Sequence, residues 1–377
     1  MKQTTARPLG RIGAALRLAA VLTLAVAAIL MMGSLLGGLG RMGVETAAMP
    51  VELAQYHGPL MVSAFFGALI SMERAVALRR AWSLVAPMAA AAGGVSLVAT
   101  GDQQVASIFF VVAGATLMWV FATLLWRRWE NFTFVMSLGA LAWAMGNLLW
   151  ALGQPVWQVT PWWAAFFVLT IAGERLELSR FRKGRRRSAG FWFGVALVAI
   201  GLVWGLLELD RGLRLVGLGF VVVAIWLARH DVAHATIRLG GGPQYMAVAL
   251  FAGYFWLAAT GGLAIFYGPV SAGVAYDLLW HALFVGFVFS MVFAHAQIIL
   301  PALTGVRVRH SAAFYVPLTV LHLSLILRGI GDLSNLDQMR RLGGIGNAAA
   351  ILIFALVIIS HVGRGKSKKS TQKGGRR

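Results

Sequence analysis

The chain has 377 residues, 59% of them hydrophobic and only 12% charged, which leaves too little polar surface for a water-soluble domain of this size. Its 33 Lys and Arg against 13 Asp and Glu give a net charge of +20. With no folded soluble domain to present a basic patch, that excess does not point to nucleic acid. Cysteine is absent, which excludes disulfides, thiolate-bound zinc and iron–sulfur clusters, so any metal falls to His, Met or carboxylate.

Apolar runs near the ~20 residues that cross a hydrocarbon core recur along the chain. They predict about twelve spans: 16–39, 55–78, 82–100, 104–126, 132–152, 159–178, 190–207, 212–228, 245–267, 277–301, 312–330 and 343–362. The first follows Arg7, Arg11 and Arg17 like a signal peptide, but it is too long for an h-region and lacks a small-residue cleavage site. It therefore reads as an uncleaved first span. The expected organisation is a short cytoplasmic N-terminus (1–15), a polytopic domain (16–362) and a basic, disordered cytoplasmic tail (363–377) suited to anionic lipid. The Gly-rich stretch at 239–243 follows no strand and carries no phosphate-loop Lys, so it has no nucleotide meaning.

Basic residues cluster in alternate loops: Arg79 and Arg80, Arg127 and Arg128, the run Arg180 to Arg187, Arg229 and Arg238, Arg307 and Arg309, and the tail from Arg364 to Arg377. The positive-inside rule then puts both termini in the cytoplasm. Arg41, Arg211, Arg214, Arg340 and Arg341 break the alternation. Tyr56, Trp157, Trp162, Trp163, Tyr276 and Trp280 fall at the outer edge and are expected to form an aromatic belt.

An internal repeat organises the spans. AFFGALISMERAVALR from Ala64 to Arg79 and AFFVLTIAGERLELSR from Ala165 to Arg180 share Ala-Phe-Phe, Glu-Arg and Arg at a constant offset of 101. Sliding the tenth span onto the second by 224 puts His281 on His57 and Gln297 on Glu73. The related helices are then the second, sixth and tenth. The fold class expected is an all-α integral membrane protein built as three four-helix units around a pseudo-threefold axis, internal repetition being a common plan for membrane proteins.

His57 and His281 each stand one turn inside the outer edge of their helices. An imidazole at membrane depth is costly and usually has a partner. Two at one depth on different helices can hold a haem iron from both sides. The alternative is two helix-end histidines, each bonded to a carbonyl or to water. His295 lies 14 residues after His281 on nearly the same face, about 21 Å further in. One iron cannot be reached from both, so His295 serves a second site, a proton path or a core hydrogen bond. His322, mid-span in the eleventh helix two turns from Arg328, is a third candidate ligand or a polar partner.

Met61 and Met291 can ligate copper or simply pack. Glu73-Arg74 and Glu174-Arg175 read as membrane-edge ion pairs or as a proton entry point. His230, His234, His310 and His361 fall in or beside cytoplasmic loops and are expected to be solvated.

These residues carry a family resemblance. HALFVGFVFSM at 281–291, Thr304-Gly305 followed by Arg307, GGPQYMAVALFAGYFWLA at 241–258 and Tyr56-His57 followed by Met61 resemble, in order, motifs of the NnrS family. The resemblance implies a bacterial inner-membrane protein that contains haem b, with or without copper, and is linked to the nitric oxide response. Pro59, Leu60 and Leu303 stand where that family has His, Glu and His, which removes its expected copper donors.

The plan is also similar to haem–copper oxidase catalytic subunits, whose second and tenth helices hold a low-spin haem. The sixth and seventh spans here lack the histidines that the copper centre of those enzymes needs. The expectation is an inner-membrane haem protein with His57 and His281 as ligands, His322 or His295 in secondary roles, and nitric oxide or a redox partner as its counterpart. A cofactor-free transporter that relays protons through His and Glu is the alternative.

Overall fold

The computed structural model describes residues 11–44, 52–179 and 188–363. Arg7, the side chains of Arg11 and Arg17, the run Arg180 to Arg187 and the tail from Arg364 lie outside the described residues.

The chain is an all-helical, multi-pass membrane protein. Its long helices are α1 (Arg11–Arg41), α2 (His57–Leu78), α3 (Ala81–Thr100), α4 (Gln103–Arg127), α5 (Asn131–Ala151), α6 (Val156–Ser179), α7 (Ala189–Trp204), α8 (Leu209–His230), α9 (Gly241–Tyr267), α10 (Val274–Thr304), α11 (Ala312–Leu333) and α12 (Asp337–Ser360). Among the described residues, the one pair of strands joins Arg307–Val308 to Val362–Gly363.

Eleven of these helices are long and apolar enough to span a membrane. The exception is α7, whose 16 residues fall short of the ~20 that a span needs. The expected seventh span, 190–207, ends early because the chain turns at Gly205. There α8 comes so close that a Cβ on Gly212 would lie 2.3 Å from the Gly205 Cα. Local signals fix other ends. α3 stops on Gly101 in the left-handed region (φ 66°), and the Asp102 carboxylate caps α4 by accepting from the amides of Gln104 and Val105 at 2.8 and 3.1 Å.

The helices of the repeat occupy the centre. The most apolar window of α6 is 78% buried and those of α2 and α10 are each 61% buried, against 28% for α1 and 33% for α4. Phe66 of α2 meets Phe167 of α6 at 5.1 Å and Phe289 of α10 at 5.3 Å, while Phe167 also meets Phe284 of α10. Around this trio the outer helices pack in chain order: α3, α4 and α5 lead from α2 to α6; α7, α8 and α9 from α6 to α10; and α11, α12 and α1 from α10 back to α2. The helices of the repeat are thus the inner trio, with three outer helices between each pair of them.

Both α2 and α10 depart from α-helical geometry in the same place. A π-helical stretch runs over Leu60–Phe66 in α2 and over Ala282–Phe289 in α10, each just inside its histidine. Such widened turns rotate the residues beyond them and concentrate at functional sites.

The aromatic-belt expectation is corrected. Trp162, Trp163 and Trp280 are buried within the bundle, and Trp157, Trp163, Tyr276 and Trp280 line an internal cavity. The strongly exposed tryptophans are Trp119 and Trp126 of α4, and Trp129 just beyond it. Arg175, expected in a membrane-edge pair, is also buried, as is Asp231.

Candidate functional site

At the end of the bundle where α2, α6 and α10 begin, a cavity of about 440 Å3 opens among α1, α2, α6, α10, α11 and α12. Its size falls within the ~300–1,000 Å3 usual for ligand sites. His57 and His281 face each other across it, with ring centroids 6.2 Å apart and planes within 9° of parallel. Two imidazoles bound through Nε2 to one metal, each at ~2.0 Å, have their centroids ~6 Å apart.

The hydrogen bonds fix the tautomers. His57 Nδ1 lies 2.6 Å from the Ser34 carbonyl of α1, and His281 Nδ1 lies 2.8 Å from the Asp277 carbonyl one turn back in α10. A carbonyl can only accept, so each Nδ1 carries a hydrogen, and in the neutral ring each Nε2 keeps its lone pair. Neither Nε2 has a hydrogen-bond partner among the described residues. Metal-bound histidines are held in this manner. The bond to the carbonyl one turn back is not diagnostic alone, since His230, His295 and His361 make it too. What sets His281 apart is the second ring opposite.

Each ring has its own seat. Ser34 Oγ donates to the His57 carbonyl at 2.9 Å, and the His57 ring lies against Gly38, where a Cβ would come within 2.9 Å of Cε1. His281 Nδ1 also lies 3.2 Å from the Asp277 carboxylate. Arg328 of α11 grips that carboxylate with two hydrogen bonds of 2.7 and 2.8 Å. On the far wall, Trp163 donates its Nε1–H outward to the buried Asn147 at 3.1 Å, and the Tyr276 and Thr160 hydroxyls lie 3.0 Å apart.

Three arginines line this end: Arg41, Arg328 and Arg340. Arg328 is engaged with Asp277, and Arg340 lies 2.9 Å from both Asp332 and Asp337. Arg41 has no polar partner among the described residues. Two of the arginines that break the basic-loop alternation, Arg41 and Arg340, therefore open on the cavity.

The other candidates lie elsewhere. His295 Nδ1 bonds to the Met291 carbonyl, and its Nε2 lone pair accepts from Arg175 Nη1 at 3.2 Å, which leaves no free donor for a metal. Arg175 in turn holds Asp231 with bonds of 2.6 and 2.7 Å, and Tyr254 donates to the same carboxylate at 2.8 Å. His322 does not line the cavity: its Nδ1 accepts from Trp256 Nε1 at 3.0 Å, and its Nε2 is buried without a partner.

Met61 lines the cavity, whereas Met291 packs against Gly253. Arg74 bridges Glu73 and Glu174, so the Glu-Arg dipeptides of the repeat meet between α2 and α6. Of the loop histidines, His234 is exposed, while His230, His310 and His361 are half-buried. Among the described residues, no group of three or more His, Cys, Asp or Glu converges as a metal site.

The residues missed from the sequence are Ser34, Gly38 and Asp277. Asp277 had a readable signal, a carboxylate four residues before a candidate ligand on the same helix.

Fold and site together define an all-helical, multi-pass membrane protein with a paired-histidine cavity at one end of its central helix trio. Residues 17–362 match the family described as a domain of unknown function (DUF8744), and the chain belongs to that family. No curated protein and no solved structure matches it.

Proposed function

We propose that this chain is a haem-binding protein in which His57 and His281 are the two axial ligands of a haem b. The observation that carries the reading is the opposed pair: 6.2 Å between centroids, nearly parallel planes and both Nε2 lone pairs free. The cavity adds two supports. Its aromatic and aliphatic walls suit a porphyrin, and the guanidiniums of Arg41 and Arg340 suit carboxylate groups at its edge.

When bound, such a group supplies one-electron exchange and, once one axial position is given up, binding of a small molecule such as nitric oxide. The chain orients two imidazoles, presents cations at one end and walls off water with Trp163, Trp280 and Phe284. The alternate basic loops support cytoplasmic termini and an outward histidine end, and the resemblance to the NnrS family supports a bacterial inner-membrane location. The free nitrogens form a two-donor site, which favours haem over copper.

The test is the absorption spectrum of protein purified from haem-replete cells, with the pigment extracted and typed. A sharp low-spin spectrum of haem b is expected. A colourless protein overturns the reading in favour of a cofactor-free transporter. A pigment that survives both His57→Ala and His281→Ala overturns the ligand assignment.

A further inference from the structure

We infer that the two histidines are unequal by construction: His281 is the fixed ligand, and His57 is the one that yields its place to a small incoming molecule such as carbon monoxide. The inference rests on the haem reading above and concerns what this chain does to each ring.

The His281 side is braced from two helices. Its Nδ1–H points to the Asp277 carbonyl at 2.8 Å and lies 3.2 Å from the Asp277 carboxylate, which the buried Arg328 of α11 clamps with two bonds. A carboxylate beside Nδ1–H increases the electron-donating power of Nε2 and fixes the ring orientation. All the groups on the ring itself belong to α10, so the ring and its acceptor move together.

The His57 side differs in each respect. The acceptor is a neutral carbonyl, Ser34 O, and it belongs to α1, a different helix from the ring. Among the described residues, no carboxylate is a polar partner of the ring. His57 is the first residue of α2, and Gly58 follows it. The ring rests on Gly38 of α1, the least buried of the spanning helices. A slight shift of α1 against α2 therefore moves both the acceptor and the seat of His57 while leaving His281 in place. With haem bound, His57 would be the residue whose Nε2 lets go, and the incoming molecule would take the place so freed. No electron or proton is transferred.

The experiment is infrared spectroscopy of the dithionite-reduced protein under carbon monoxide. In the wild type the C–O stretch should coincide with that of His57→Gly, because His281 lies opposite the ligand in both. It should differ from that of His281→Gly. Asp277→Asn should move the wild-type stretch, which a merely structural residue would not do. Gly38→Ala, which crowds the His57 ring, should raise carbon monoxide affinity by about tenfold as the competent fraction rises.

A wild-type stretch that coincides with that of His281→Gly overturns the inference. So does a stretch insensitive to Asp277→Asn, or failure of both the wild type and Gly38→Ala to bind carbon monoxide. If Gly38→Ala does not fold, the comparison of the wild type with His57→Gly decides alone. A protein without haem fails the reading beneath, whereas a haem protein with the wrong stretch fails only this one.

Discussion

Phe66 and Phe167 occupy equivalent positions of the internal repeat and meet at the centre of the bundle, with ring centroids 5.1 Å apart at 79°. The repeat is therefore a packing device: the same residues at the same depth on α2 and α6 close the inner trio. Truncating either ring should cost about 3 kcal/mol of stability, the usual toll for a buried phenylalanine. The pair should couple by at least ~0.5 kcal/mol in a double-mutant cycle followed by unfolding in detergent. Strict additivity would mean that the contact does not join the helices.

Arg175 and Asp231 make the most buried charge pair among the described residues, joined by two hydrogen bonds. Asp231→Asn leaves a buried guanidinium without its counter-charge and should destabilise by about 3–5 kcal/mol. Arg175→Met combined with Asp231→Leu should recover much of that loss. Thermal unfolding in detergent measures both. A double variant no better than the single one would show that the network is needed as a whole.

How far the sequence reveals this fold can be argued from single residues. The spans, the trio and the opposition of His57 and His281 were legible because each depends on a run or spacing along one helix. Trp163 and Trp280 were misread as a lipid belt because an aromatic near a helix end looks the same whether it faces lipid or a cavity. The pairing of Arg175 with Asp231 was not legible, because the two residues lie 56 positions apart along the chain. The role of Gly38 was not legible, because nothing in the pattern of α1 records which ring rests on it.

If haem binds as proposed, the charges around the cavity should set its reduction potential. Asp277→Asn removes a negative charge beside His281 and should shift the potential positive. Arg340→Gln removes a positive charge from the cavity edge and should shift it negative and weaken haem retention. A redox titration of each variant checks the signs, and like signs for the two would contradict the placement of both residues.

His310, between α10 and α11, sits beside Tyr245 and Phe314, and burial, with His361 nearby, holds its pKa below the ordinary histidine value. Its folded pKa is depressed, so the unfolded chain takes up the proton first. Stability should then fall as pH drops through the ordinary histidine value of ~6.5 toward the lower folded value. His310→Gln should flatten that part of the stability–pH profile. An unchanged slope would place the acid sensitivity elsewhere.

The central claim is the opposed pair, His57 and His281, and low-temperature EPR of the oxidised protein tests it most directly. Ring planes within 9° of parallel predict a rhombic low-spin ferric signal with three resolved features, lost in both His57→Ala and His281→Ala. Absence of a ferric haem signal from protein made in haem-replete cells, or an unchanged low-spin signal in either variant, would contradict it.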